Sequence, residues 1–273
     1  MMGKGIGVIG GGQMGEALIK GFLEKKIFSP ENILVSEPIS HRREYLEKTY
    51  RIKTTTSNTE LIKEKSIILL AVKPQVMEDV LKEISKEIHK EVHLILTIAA
   101  GLPLSFYEKN LPEGTRIIRI MPNTCALVHE SISAICKGKY AREEDIRLAE
   151  KIFSAIGEVV EVDEKLMDAV TALSGSGPAY VALFAEAMID AGVRVGLPRN
   201  LAEKLVFQTI LGTIHIFLKT GKNPYEVKSM VTSPGGTTIS ALEEFYKGGF
   251  SGIVISAILK AFERSKELSQ LFK

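Results

Sequence analysis

The chain has 273 residues, 45% hydrophobic, 25% charged and 7% aromatic, the composition of an ordinary folded protein with length for about two domains. Lysine and arginine total 35 against 33 acidic residues, and a net charge near +2 leaves no positive field of the size needed to hold a polyanion, so nucleic acid is not an expected partner. The longest uninterrupted aliphatic run, Ile67 to Val72, falls far short of the roughly 18 residues of a membrane-spanning helix, and no membrane partner is expected.

From the N-terminus, Met1-Met2-Gly3-Lys4-Gly5-Ile6-Gly7 is broken by glycine where a secretory signal has a continuous apolar core. Ile6 to Ile9 reads as a strand, followed at once by Gly10-x-Gly12-x-x-Gly15 and the helical run Glu16 to Lys25. Strand, glycine turn and helix in this order are the context that gives the pattern its meaning. The first glycine permits the tight turn, the second lets backbone touch a pyrophosphate, and the third lets helix and strand pack closely. A diphosphate would lie on the helix N-terminus, where free N–H groups and the dipole attract negative charge. Ile33 to Val35 reads as the next strand and leads into Ser36-Glu37, about 20 residues beyond the glycines, where an acid can bind the adenine ribose hydroxyls. Glu37 suits NAD, whereas His41-Arg42-Arg43 one turn later suit the extra phosphate of NADP or a solvated helix face.

Ile67 to Val72, Leu94 to Ile98, Ile117 to Met121, Ser131 to Ile135 and Val159 to Val162 read as further strands, several apolar throughout as in a sheet covered on both faces. Helical spacing lies between them, as in Met77-Val80-Leu81-Ile84-Ile88. The pattern predicts βαβ units and a Rossmann-type, doubly wound, mostly parallel sheet over residues 1–163. Ala71-Val72-Lys73-Pro74, Ala99-Ala100-Gly101 and the amide of Asn123 stand at strand carboxyl ends, where ligands bind in such sheets. Cys125 and Cys136 have no His-Cys cluster beside them, so neither a disulfide nor a metal site is expected, and the chain reads as cytoplasmic.

After Asp163 strand signals stop. Leu166 to Ala172, Pro178 to Val193, Pro198 to Thr220, Pro224 to Val231, Thr237 to Tyr246 and Ser251 to Phe272 read as helices, giving an all-α domain over residues 164–273. Pro178 to Leu218 is more apolar than about 110 residues can bury alone, which predicts at least a homodimer through this domain. Two glycine-rich motifs lie here, Leu173-Ser174-Gly175-Ser176-Gly177-Pro178-Ala179-Tyr180 and Thr232-Ser233-Pro234-Gly235-Gly236-Thr237-Thr238. Either reads as a capped helix start, and the second also reads as a carboxylate site, with exposed helix N–H groups, close approach at Gly235 and Gly236, and hydroxyls from Thr237 and Thr238.

On these motifs, with Gly10-Gly11-Gly12-Gln13-Met14-Gly15, Ala71-Val72-Lys73-Pro74, Met121-Pro122-Asn123-Thr124 and Gly196-Leu197-Pro198, the chain resembles the pyrroline-5-carboxylate reductases over essentially its whole length. The resemblance implies NADPH or NADH as cofactor and a cyclic imine with a carboxylate as substrate, reduced to proline in the last step of proline biosynthesis. It places cofactor contacts on Ile9, Gly10, Gly11, Gly12, Gln13, Met14 and Gly15, on Ser36 and Glu37, on Asn58, on Ala71 to Pro74 and on Ala99 to Gly101. Substrate contacts fall on Ser233, Gly235, Gly236, Thr237 and Thr238, with Thr238 polarising the imine nitrogen. Members preferring NADPH tend to carry a small hydroxyl or basic residue near the position of Glu37, so this acid departs from their pattern.

Two other readings differ in chemistry. A β-hydroxyacid dehydrogenase needs a catalytic Lys and Asn where alignment on Gly177 puts Val181 and Ala185, and without them a keto–hydroxy conversion lacks its acid–base group. A nucleotide sensor without chemistry has no need of Ser233 to Thr238.

Overall fold

The computed structural model describes residues 5–271. In chain order the first part runs β1 (Ile6–Ile9), α1 (Gln13–Glu24), β2 (Ile33–Ser36), α2 (Ser40–Tyr50), β3 (Lys53–Thr55), α3 (Asn58–Glu64), β4 (Ile67–Leu70), α4 (Pro74–Ile84), β5 (Leu94–Thr97), α5 (Leu104–Asn110), β6 (Arg116–Met121), β7 (Ser131–Lys137), α6 (Glu143–Phe153) and β8 (Gly157–Glu161). The strands form one sheet in the order β3-β2-β1-β4-β5-β6-β7-β8, parallel except for the β6–β7 pair. This is the doubly wound, mostly parallel sheet expected from the sequence.

The apolar strands read as they do because successive side chains enter opposite cores. Ile6 and Val8 of β1, Ile67 and Leu69 of β4, and Leu94 and Leu96 of β5 join one core with Leu18, Phe22, Ile152 and Phe153. Their alternates Ile9, Ile68, Leu70 and Ile95 join the other, with Met77, Leu81, Leu102 and Tyr107. The in-register pairs Ile6↔Ile33 and Ile6↔Ile67 put β1 at the centre, so the glycine turn emerges mid-sheet, where the strand order reverses.

The strand expected over Ile67 to Val72 ends at Leu70; Ala71 still gives its N–H to the Ile9 carbonyl of β1, and the chain then turns toward the Pro74 helix start. The sequence reading omitted β3, a polar edge strand of three residues paired only with β2. Beyond β8 the path is helical throughout, as expected. After the 3₁₀ turn Glu164–Leu166 come α7 (Met167–Val170), a π turn over Thr171–Gly175, α8 (Gly177–Arg194), α9 (Arg199–Thr220), α10 (Pro224–Met230), α11 (Thr237–Lys247) and α12 (Phe250–Gln270). The Ser174–Tyr180 motif does lead into a helix start, α8 at Gly177, but a π turn precedes it with only the bend at Ser176 between them.

The compact units divide elsewhere than at residue 163. The first continues through Ser176 and takes back the chain from Ala261 on, leaving Gly177–Lys260 as the second. Inside the first unit the hydroxyls of Ser265 and Ser269 donate to one oxygen of Asp168, at 2.7 and 2.9 Å, which ties the end of α12 to α7.

The second unit has almost no core of its own: Ala185, Ile189, Ala202 and Val206 are its buried apolar cluster, joining α8 to α9. By length and composition α9 could cross a membrane, although no long uninterrupted aliphatic run marks it. Its outward stripe of Phe207, Leu211, Ile214 and Leu218 at helical spacing is exposed. A groove of about 520 Å³ within the same unit is lined by Tyr180, Leu183, Phe184, Phe245, Phe250 and Ile253, among others.

Candidate active site

In the first unit the glycine turn has the geometry that a dinucleotide needs. Gly10 adopts φ +104°, which side chains disfavour, and a Cβ there would also lie 2.8 Å from the Ala71 carbonyl oxygen. At Gly15 a Cβ would approach the Gly10 carbonyl oxygen to 2.3 Å, so only glycine lets α1 lie against the turn. Gly12, the N-cap of α1, faces open space and has no side-chain cap, and Gln13 beside it is exposed. The helix start is thus left free for an anion. Met14 is half-buried against the core, and Ile9 is buried at the end of β1.

Glu37 does stand at the carboxyl end of β2, as its spacing predicts, but its side chain is only 6% exposed. One carboxylate oxygen accepts from the Gly11 N–H at 2.9 Å and the other from the Ile39 N–H at 3.0 Å. Ser36, also buried, accepts the Gly10 N–H on its carbonyl at 2.9 Å. The end of β2 therefore holds the glycine turn in shape. Arg42 is no solvated bystander: its Nε donates to the Gly11 carbonyl at 2.5 Å and its guanidinium pairs with Glu16. Tyr45 and Tyr50 donate to the same Glu16 carboxylate at 2.9 and 2.7 Å. Partial burial works against ionisation of Glu16, but the bonds from Arg42, Tyr50 and Tyr45 outweigh it and hold the carboxyl below its usual range. Burial and the Glu16 carboxylate together push the Tyr50 hydroxyl up. Nothing in the sequence marked Glu16, because its partners come from α2.

Removing both acceptors at once is a sharp test of this arrangement. Glu37→Ser is expected to cost about 2–4 kcal/mol, since each lost bond is to a charged acceptor, and to lower the melting temperature accordingly. If the carboxylate also meets the ribose, the same change raises use of NADPH over NADH by up to about 1–3 kcal/mol in ratio. A lower melting point with an unchanged ratio of kcat/KM values assigns Glu37 to the turn alone.

At the crevice rim Lys73 is exposed and caps α4 ahead of Pro74, while the Ala71 N–H donates back to the Ile9 carbonyl at 2.8 Å. Val72 is half-buried, Ala99 is buried, Ala100 is exposed, and Gly101 takes φ +77° after β5. Asn58 opens α3, where its amide donates to Glu83 at 2.7 Å. Asn123 is buried, and its side-chain amide is occupied on both sides: Oδ1 accepts from the Cys125 N–H and Nδ2 donates to the Ser174 carbonyl, each at 3.1 Å.

In the second unit Ser233 to Gly236 form a turn closed by the Gly236 N–H donating to the Ser233 carbonyl at 3.1 Å, with Gly235 at φ +66°. Gly236 is the N-cap of α11 and supplies no side-chain cap. Thr237 and Thr238 are the first two helical residues, the former exposed and the latter half-buried. Among the described residues the Thr238 hydroxyl has no intramolecular partner, so it is not a capping group. Groups of three or more His, Cys, Asp or Glu able to hold a metal are absent among the described residues.

Residues 5–101 match the family model described as NADP oxidoreductase, coenzyme F420-dependent, and residues 164–268 match the one for pyrroline-5-carboxylate reductase dimerisation. The second match begins next to the boundary read from the sequence. A pyrroline-5-carboxylate reductase of Synechocystis is 45% identical over 97% of this chain and 98% of its own. One of Methanosarcina acetivorans is 45% identical over 99% and 100%. A crystal structure of the Plasmodium falciparum pyrroline carboxylate reductase with NADP bound superposes with a TM-score of 0.89 at 35% identity, covering 98% of this chain and 99% of that one. Identity at this level along the full length of both chains, joined to a dimerisation match over the helical half, makes the chain a member of the pyrroline-5-carboxylate reductase family.

Proposed function

We propose that the protein reduces 1-pyrroline-5-carboxylate to proline with NADPH or NADH. The observation that carries this reading is the uncapped start of α11 behind the Ser233–Gly236 turn, in a chain whose other unit has an open α1 start for a diphosphate. When bound, the reduced nicotinamide supplies a hydride to the imine carbon, and the C=N electron pair moves to the ring nitrogen. The chain's own work is to bind and to orient. Backbone N–H groups at the start of α11 hold the substrate carboxylate, with Ser233, Gly235 and Gly236 shaping the turn and the Thr237 hydroxyl beside it. The Thr238 hydroxyl bonds the ring nitrogen, orienting the imine carbon toward the hydride. A threonine hydroxyl has no acid–base strength near neutral pH, so the proton comes from water or from the iminium form of the substrate itself.

On the cofactor side the segments Ile9 to Gly15, Ser36 to Glu37, Asn58, Ala71 to Pro74 and Ala99 to Gly101 form the proposed binding surface. The open space at Gly12 and the uncapped α1 start support the diphosphate position. The free protein is at least a homodimer, with a second copy covering the outward stripe of α9 and the aromatic groove. The nearly coreless second unit supports this assembly. It also gives the apolar face of α9 a protein partner instead of a lipid one, in line with a cytoplasmic enzyme.

Purified protein is expected to oxidise NADPH or NADH, followed by absorbance, only when pyrroline-5-carboxylate is added. A folded sample that turns over with neither cofactor overturns the reading. Oxidation of the reduced cofactor by a β-keto acid, or reduction of the oxidised cofactor by a β-hydroxyacid, would favour the dehydrogenase alternative.

A further inference from the structure

The backbone around Ser174 leaves an acceptor without its helical donor. The π turn is closed by the Ser176 N–H donating to the Thr171 carbonyl at 3.0 Å, and α8 begins at Gly177. An amide at position 178 would bond the carbonyl four residues back in an α register, Ser174, or five back in a π register, Leu173. Position 178 is proline and has no N–H to give. The Ser174 carbonyl is taken instead by Nδ2 of Asn123 at 3.1 Å.

Asn123 is built to hold that position. It is only 8% exposed; its Oδ1 accepts the Cys125 N–H at 3.1 Å, and its own N–H donates to the Ser131 hydroxyl at 3.2 Å. The side chain is fixed in the loop that leaves β6, and its one amide replaces the donor that Pro178 lacks. The turn it holds packs on that strand: a Cβ at Gly175 would come within 2.6 Å of the Met121 Cε at the end of β6. Carboxyl ends of parallel strands are where a doubly wound sheet binds its ligand.

We infer that Asn123 is a positioning residue for the reductase reaction: by donating to the Ser174 carbonyl that Pro178 leaves without a helical donor, it fixes the π turn against the carboxyl end of β6, beside the cofactor crevice. Its amide is spent on the chain rather than on the cofactor. This inference rests on the proposed reductase reading for its link to turnover, but the bond itself is testable without it.

The test is a double-mutant cycle with Pro178→Ala, which returns an N–H to position 178. Asn123→Asp keeps an acceptor for the Cys125 N–H but turns the donor facing Ser174 into a carboxylate oxygen, whereas Asn123→Ala removes both bonds without adding charge. With Pro178 in place, Asn123→Asp is expected to lower kcat/KM by roughly tenfold and to speed hydrogen exchange at the Gly175 and Ser176 amides to a similar degree. In the Pro178→Ala background the same change is expected to cost less than about threefold in both readouts, because the backbone now serves the carbonyl. An equal loss in the two backgrounds, or no loss with Pro178, overturns the inference. A purely structural role would move the exchange readout and leave kcat/KM unchanged. Should Asn123→Asp not fold, Asn123→Ala runs through the same cycle. If the parent protein has no reductase activity, the functional reading fails while the exchange cycle still decides whether Asn123 replaces the missing donor.

Discussion

Placing glutamates at Phe207 and Leu211 is expected to convert the protein to monomers with at most a few per cent of its reductase activity. The two residues lie one turn apart on the outward face of α9 and are 57% and 49% exposed in the single chain, continuing through Ile214 and Leu218. The opposite face of α9, with Ala202 and Val206, packs on Ala185 and Ile189 of α8 and is untouched by the change. A carboxylate on the outward stripe therefore costs little in an isolated subunit. In a dimer each apolar side chain covered contributes about 1.5–3 kcal/mol, and each buried, unpaired glutamate opposes assembly by several kcal/mol. Because the stripe occurs twice in a symmetric interface, both copies act together. Light scattering is expected to fall from at least twice 30.0 kDa to 30.0 kDa, with far-ultraviolet circular dichroism reporting retained helix. A double variant that stays dimeric places the interface on another face of the unit, and a fully active monomer removes assembly from the function altogether.

How far such features can be read from the residues depends on where their partners come from. β1, β4 and β5 were legible because their residues are buried in both cores, which leaves an unbroken aliphatic run. β3 was not, since Lys53-Thr54-Thr55 borders solvent at the sheet edge and carries no apolar signal. The surplus of apolar residues between Pro178 and Leu218 was legible as a surface in need of cover, because a four-residue core cannot absorb it. Spacing placed Glu37 at the end of β2 but did not reveal what its oxygens bind, the Gly11 and Ile39 amides. The Glu16–Arg42 pair joins α1 to α2 across 26 residues and left no local trace. The π turn over Thr171–Gly175 was not legible, because serine and glycine before proline have the statistics of the helix start that follows at Gly177. A sharper reading was available there: proline four residues after Ser174 has no N–H to offer its carbonyl, which then needs a donor from elsewhere.

Thr238→Ala is expected to lower kcat and kcat/KM together by roughly 10- to 100-fold, the range that loss of one neutral hydrogen bond strengthened in the transition state supports, while Thr238→Ser retains much of the rate. The structure removes the main competing role for this side chain. Gly236 is the N-cap of α11, Thr238 is its second residue, and the hydroxyl has no partner within the described chain, so its loss breaks no cap. The melting temperature of Thr238→Ala is accordingly expected to stay within a degree or two of the parent. Serine keeps the hydroxyl and gives up only the methyl group that restricts its rotamer, which makes it the proper control. Substrate affinity separates two remaining possibilities. If the hydroxyl bonds the ring nitrogen more strongly as hydride arrives, KM hardly moves and kcat falls; if it holds the substrate equally in ground and transition states, KM rises and kcat is unchanged. A stable, fully active Thr238→Ala takes the hydroxyl out of the mechanism, and substrate orientation then rests on the backbone amides at the start of α11.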